Sequence, residues 1–376
     1  GGMARNVYGG GYLGHVGKHT KTVNNKEVEA DISDDYAADI LGVANVTIGK
    51  TGGTGFDNGV PAITRNVYGG GEGGSVYGTA NLTINNGYIG YRYKDSQYVE
   101  ELDDNKPNDI EMAGNVFGGG YVVNSYVDIT NIEMYGGKVR GSLYGGGEVG
   151  PIGRGTIRYK DTYTNKGLVN GDARIYKAGQ THIKMYNGHV LRNVFGGGRG
   201  KDSWGGDGTM YMDKDVVATL DLMCKGYVFG QTDVNIYGGE IGSNEGLADG
   251  YGNVFGGGDE GSVYSAYEQN DTLYIGEKPE NSVRYDKGDE GYYYKSKGNQ
   301  TFVDNAGTTL ASGAEKFLTE DCHVLIEPWL QVKIPIYYDH HYYEIGEYIP
   351  TSYLNTLPKK DKTDTSWPDE WKYVDA

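Results

Sequence analysis

Asn115-Val116-Phe117-Gly118-Gly119-Gly120 is followed closely by Ser142-Leu143-Tyr144-Gly145-Gly146-Gly147, and this recurrence decides how the chain is read. The same string of asparagine, valine, aromatic and glycine triplet occupies Asn6–Gly11, Asn66–Gly71, Asn193–Gly198 and Asn253–Gly258. Tyr227–Gln231, Tyr-Val-Phe-Gly-Gln, reads as a relaxed seventh copy. A second element precedes most copies: Asp233-Val-Asn-Ile-Tyr-Gly-Gly-Glu-Ile-Gly, with relatives starting at Asn81, Asp128 and His182. A third, Gly74-Ser-Val-Tyr-Gly and Gly261-Ser-Val-Tyr-Ser, follows two of the triplets. Val234 and Ile236 alternate with polar residues at period two, the mark of a strand, and no helical periodicity runs through the repeats. One unit is therefore three short strands joined by glycine turns.

The closest copies lie from Val228 to Val254 and from Val116 to Leu143. At about 3.3 Å per residue such a unit is roughly 85 Å of extended chain, enough for one circuit of a three-sided coil. The wider spacings, such as Val7 to Val67 and Val67 to Val116, are either two circuits or one circuit plus an inserted loop. The fold expected is all-β: a right-handed parallel β-helix, or β-solenoid, over residues 1–264 with loop insertions, the hand being that of parallel crossovers. A tyrosine-rich, β-rich C-terminal cap or module is expected over 265–355, and a polar linker over 356–376. Stacked coils place Val7, Val67, Val116, Leu143, Val194, Val228 and Val254 in one interior ladder. The adjoining aromatics point to the opposite side, where the interchange of Tyr and Phe suggests an outer or edge ladder. Asn6, Asn66, Asn115, Asn193 and Asn253 are expected to form a structural ladder of side-chain amides. The triplets are expected to supply positive φ at a corner and to let coils approach without a Cβ clash.

Composition limits the classes of function. Glycine fills 64 of 376 positions, about 17%, yet glycine plus proline stays below the level of disordered chains and shows no collagen period. With 34 basic and 51 acidic residues the net charge is −17, which repels phosphate backbones and anionic headgroups, so no nucleic-acid partner is expected. No apolar run is long enough to cross a bilayer, so no membrane insertion is expected. The N-terminus runs straight into a repeat, as an excised segment of a longer chain would. Cys224 and Cys322, with no metal-ligand spacing, read as unlinked buried thiols.

Few residues stand out as chemistry against this background. The triplets are not phosphate loops, because no Gly-Lys-Ser/Thr and no helix follows them. Polar insertions near residues 18–42, 91–112, 156–179 and 200–225 are where binding is expected on a rigid repeat scaffold. Asp103, Asp104 and Asp109 make calcium the one ion such a loop could hold, although the spacing of a calcium loop is missing and a solvated acidic loop is the default; no other cofactor is expected. Glu72, Glu148 and Asp259, each directly after a triplet, read as exposed charges that discourage edge association. Pectate lyases and polygalacturonases are enzymatic β-helices, but His189 and Arg192 have no paired aspartates beside them. His182 and His340-His341 lack a metal partner or nucleophile, so no catalytic residue is assigned. Tyr8, Tyr68, Phe117, Tyr144, Phe195, Phe255 and Trp204 are the candidate ligand contacts, since aromatic rings offer rigid contact area to sugars and proteins.

The Asn-Val-Phe-Gly-Gly-Gly repeats, the Val234-to-Ile241 segment and the stretch Cys322-His-Val-Leu-Ile-Glu-Pro-Trp resemble very large secreted or cell-surface repeat proteins of Bacteroidales-type bacteria, over most of residues 1–350. The resemblance implies an extracellular or cell-surface location and a non-enzymatic role as a stalk, filament or adhesin. The partners expected are host or bacterial surface glycans or proteins, or like copies in a filament. The alternative is a polysaccharide-binding or polysaccharide-degrading β-helix protein: a lyase, a hydrolase or a tailspike-like binder.

Overall fold

In the computed structural model the described residues are 2–31, 37–100, 113–161, 165–200, 226–242 and 251–263, together with short strands between 266 and 350. They are almost all β, with one 3-10 turn at Phe56–Asn58 and no α-helix. Three six-stranded sheets, parallel throughout, carry the repeats. The triplet sheet runs, in both space and sequence, through Val7–Tyr8, Val67–Tyr68, Val116–Phe117, Leu143–Tyr144, Val194–Phe195 and Val254–Phe255. The long-strand sheet runs through Gly42–Ile48, Val76–Ile84, Val127–Met134, Gly179–Met185, Gly230–Ile236 and Cys322–Ile326. The third runs through Met3–Ala4, Ala62–Ile63, Tyr88–Ile89, Lys138–Val139, His189–Val190 and Glu240–Ile241. A fourth column of single pairings joins Val16, Val76, Val127, Ile152, Val228 and Val263.

These registers decide two points that the repeat spacing leaves open. The wider spacings each take one strand of every sheet and add insertions, because Val67 pairs directly with Val7 and Val116, and Val194 with Leu143 and Val254. Tyr227–Gln231 is not a seventh triplet. Val228 pairs with Ile152 and Val263, and Gly230 with Gly179, so the segment is the counterpart of Ser75-Val76-Tyr77-Gly78 in the fourth column. Its Val-aromatic-Gly string copies the triplet, but it lacks the second and third glycines, and that difference is what separates the two columns.

The core is the set of inward residues from all three sheets. Leu82, Ile132, Ile183 and Val234 from the long strands meet Val67, Val116, Leu143 and Val194 from the triplet sheet and Ile63, Ile89, Val139 and Val190 from the third. Every rung thus buries the same positions, and period-two alternation turns Asn81, Asn131, His182 and Asp233 outward. Beside the apolar ladder, the hydroxyls of Thr130 and Thr181 donate to the carbonyls of Gly145 and Gly196 at 2.7 Å, tying each long strand to the next triplet.

The triplets serve close approach alone. None of their glycines has positive φ. A Cβ on Gly118 would fall on the carbonyl oxygen of Gly145, and one on Gly145 would fall on that of Gly196. The expected positive φ lies instead in the turn after each long strand, at Gly87, Gly137, Gly188 and Gly239. The leading asparagines also differ from expectation. Each side-chain oxygen accepts from the backbone N–H one rung on: Asn6 from Asn66 at 3.0 Å, Asn66 from Asn115 at 2.9 Å, and Asn115 from Ser142 at 2.8 Å. The side chain thereby satisfies a corner N–H that lies just outside the ladder.

The insertions are antiparallel. Lys18–Val23, Lys26–Glu29 and Ala38–Ile40 form one small sheet, and Tyr91–Lys94 and Gln97–Glu100 a hairpin. Arg154–Asp161 and Asn165–Lys177 pair with each other and head a six-stranded sheet with Thr272–Ile275, Ala266–Gln269, Glu315–Leu318 and Tyr292–Lys295.

Gly118→Ala is expected to cost about 3 kcal/mol, the upper end of overpacking penalties, because the colliding atom is backbone. Gly257→Ala, where a Cβ meets nothing within 4 Å, is expected to stay within about 0.5 kcal/mol. Urea unfolding of the two variants measures the contrast.

Candidate functional site

The aromatic ladder expected on an outer edge is instead buried and stacked. Successive rings of Tyr8, Tyr68, Phe117, Tyr144, Phe195 and Phe255 lie 4.7 to 5.1 Å apart and within 13° of parallel. Phe117 has no exposure at all, and Tyr68, Tyr144 and Phe195 are buried with it; Phe255 at the end of the stack is open, at 42%. Stacking itself removes the faces that a ligand would use, so the four middle rings are structural in this arrangement. Trp204, Asp103, Asp104 and Asp109 lie outside the described residues. Among the described residues, no three His, Cys, Asp or Glu side chains are grouped to hold a metal.

The Tyr–Phe interchange has a local cause. The Tyr68 hydroxyl accepts from Asn66 Nδ2 at 3.1 Å and donates to Glu148 two rungs along, while the Tyr144 hydroxyl reaches Asp259 at 3.3 Å. Glu148, expected to be exposed, is completely buried, with Arg199 Nη1 3.9 Å from its carboxylate. Burial, reinforced by the Glu148 charge, pushes the Tyr68 phenol well above its ordinary range, so the hydroxyl stays protonated and donates. Cys322, expected to be buried, is exposed at the last strand of the long-strand sheet; Cys224 lies outside the described residues.

A second buried charge cluster fastens insertions to the core. Arg154 Nε lies 3.1 Å from Asp128, and its Nη2 lies 2.6 Å from Asp39; Lys177 reaches Asp39 and Asp128 at 2.9 and 3.2 Å. His19 Nδ1 lies 2.8 Å from Asp39. Burial would raise the Asp39 carboxyl, but hydrogen bonds from Arg154, Lys177 and His19 hold it well below the carboxylate range. For Asp128, burial outweighs the two cations and raises it. These groups are saturated by one another, and they join the first insertion, a long strand and the third insertion in one knot.

The accessible chemistry lies on the outer face of the long-strand sheet. There Asn45, Asn81, Asn131, His182, Asp233 and His323 occupy one register position on six successive strands. Asn81 Nδ2 donates to Asn45 Oδ1 at 3.0 Å and Asn131 Nδ2 to Asn81 Oδ1 at 2.8 Å, the amide-to-amide ladder expected of the triplet asparagines. Asp233 is held by His323 Nδ1 at 2.7 Å and by Asn235 Nδ2 at 2.8 Å, with His182 Nδ1 at 3.6 Å. Burial would raise its carboxyl, yet His182, His323 and Asn235 bring it down to about 2. The neighbouring column reads Thr83, Glu133, Lys184. A groove of about 610 Å³ follows both columns. Tyr135 and Tyr186, which follow the long strands, are stacked 4.9 Å apart, with Tyr348 4.5 Å from Tyr186.

Of these residues, His182 alone draws attention in the sequence, as a histidine without a partner. A signal for the whole column is nonetheless present: in the second repeat element Asn81, Asn131, His182 and Asp233 each directly precede the buried aliphatic residue. Comparison with protein-family models, curated proteins and solved structures finds no match for this chain.

Arg154→Met is expected to destabilise the protein by about 3 kcal/mol, the low end for a broken buried pair, because it leaves the buried Asp128 with only the half-exposed Lys177 as counter-charge. Lys18→Met, at an exposed pair with Glu27, is expected to cost less than about 1 kcal/mol. Equilibrium denaturation of both variants checks the difference.

Proposed function

We propose that the three parallel sheets are the faces of one right-handed parallel β-helix, and that this chain is a non-enzymatic stalk or adhesin segment working outside the cell. What supports the coil is that each circuit visits the fourth column, the long-strand sheet, the third sheet and the triplet sheet in the same order. The assigned hand is the general one for parallel crossovers. Cys322–Ile326, lying beside Gly230–Ile236 at the edge of the long-strand sheet, favours a cap over a detached module for the C-terminal region.

The observation that carries the functional reading is where the polar chemistry goes. The buried ionisable groups, Glu148 with Tyr68 and Asp39 with Arg154, are consumed in holding rungs and insertions together. The outward columns spread polar groups over several rungs instead of converging on a reacting atom. A nucleophile–base–orienter set of the kind acyl or glycosyl transfer needs is not assembled among the described residues. Repetition of this sort builds stiffness and a periodic surface, which suits display and attachment.

Bead-coupled protein should retain bacterial or host cell-wall fragments, while soluble protein releases no reducing sugar and no unsaturated product from the same material. Product release would replace this reading with that of a degrading enzyme. Absence of retention would remove the adhesive part of it.

A further inference from the structure

We infer that the outer face of the long-strand sheet binds a linear, uncharged polysaccharide whose chain runs along the direction in which the rungs stack. The inference rests on the scaffold reading above and gives that scaffold its ligand class.

The groove crosses four consecutive strands, from Asn81 and Thr83 to Asp233, and its volume of about 610 Å³ lies within the range of ligand sites. Its floor is a sheet face, where backbone N–H and C=O groups are already paired in the ladder. An extended peptide therefore finds no edge to extend, and side chains alone do the recognising. Those side chains mix donors and acceptors. Each amide of the Asn81–Asn131 pair spends one N–H or one oxygen lone pair on a given neighbour. An amide has two of each, so hydrogen-bonding capacity is left over. Asp233 is fixed by His323 and Asn235 and stays ionised, a strong acceptor for a hydroxyl pair.

Periodicity and charge select the ligand. Polar side chains of differing type recur about every 4.8 Å along the groove, so an extended polymer meets a hydrogen-bonding partner at each step, as a single compact molecule does not. Hydroxyl groups, which both donate and accept, match amide, carboxylate and imidazole neighbours without requiring a net charge. Glu133 and Asp233 share the groove with Lys184 and His182, and the chain carries −17 overall, which disfavours uronate and sulfated polymers.

The full chain is to be titrated calorimetrically with neutral hexasaccharides of linear glucans, xylan and mannan, with hexagalacturonate and an uncharged extended hexapeptide alongside. At least one neutral hexasaccharide should bind, with the corresponding disaccharide at least tenfold weaker because it falls short of the four strands the groove crosses. Lys184→Ala, on the outward face, should weaken binding at least fivefold, and Thr83→Trp, which fills the groove, should abolish it, with thermal melts confirming that both variants fold. Failure of every neutral hexasaccharide to bind overturns the inference, as does binding indifferent to Thr83→Trp or preference for the uronate or peptide. Retention of wall fragments by Thr83→Trp would remove the groove and leave the scaffold reading standing.

Discussion

The carbonyl oxygen of each triplet's first glycine occupies the place where the preceding rung's glycine would carry its Cβ. That single steric condition governs the rest of the structure. Rungs this close bring Val67, Val116, Leu143 and Val194 into one column and stack the aromatic rings face over face. They also put each asparagine oxygen within reach of the next rung's N–H. No globular core is required, since each layer buries its own aliphatic set against the layer beside it.

Regularity at the triplets leaves the insertions free to vary in length, and charge then decides how they are held. Arg154 and Lys177, from the third insertion, meet Asp128 on a long strand and Asp39 from the first. A pair of this kind contributes little beyond what well-packed apolar groups would, but losing one partner is costly. The knot therefore fixes the position of the insertions more than it adds to stability. Glu148 does the same within the stack, gripping Tyr68 across two rungs.

Much of the fold is legible in the sequence because a recurring motif reports itself many times over. The period-two strands, the valine ladder and the need for glycine at rung contacts all follow from it. Tyr227–Gln231 misleads because a Val-aromatic-Gly string fits two different columns, and only pairing distinguishes them. The aromatic ladder misleads because alternation along one strand gives a direction, and not what lies over it; Tyr121 and Val122 pack against those rings. The groove is harder still to read. Asn81, Asn131, His182 and Asp233 lie far apart along the chain and do not share one residue type, so their common place before the buried aliphatic residue aligns them without showing that they line one groove, which emerges only once the long strands are in register.

Register is therefore the claim on which fold, groove and function all depend. Spin labels at Val43→Cys and Gln231→Cys, in a Cys224→Ser, Cys322→Ser background, measure it directly by electron–electron dipolar spectroscopy. The two positions lie four strand steps apart through Thr79, Ile129 and Gln180, so their backbones should be about 19 Å apart at about 4.8 Å per step, with a narrow distribution. A separation near twice that, as two circuits per repeat would give, or a broad distribution, would contradict the stacked-rung account.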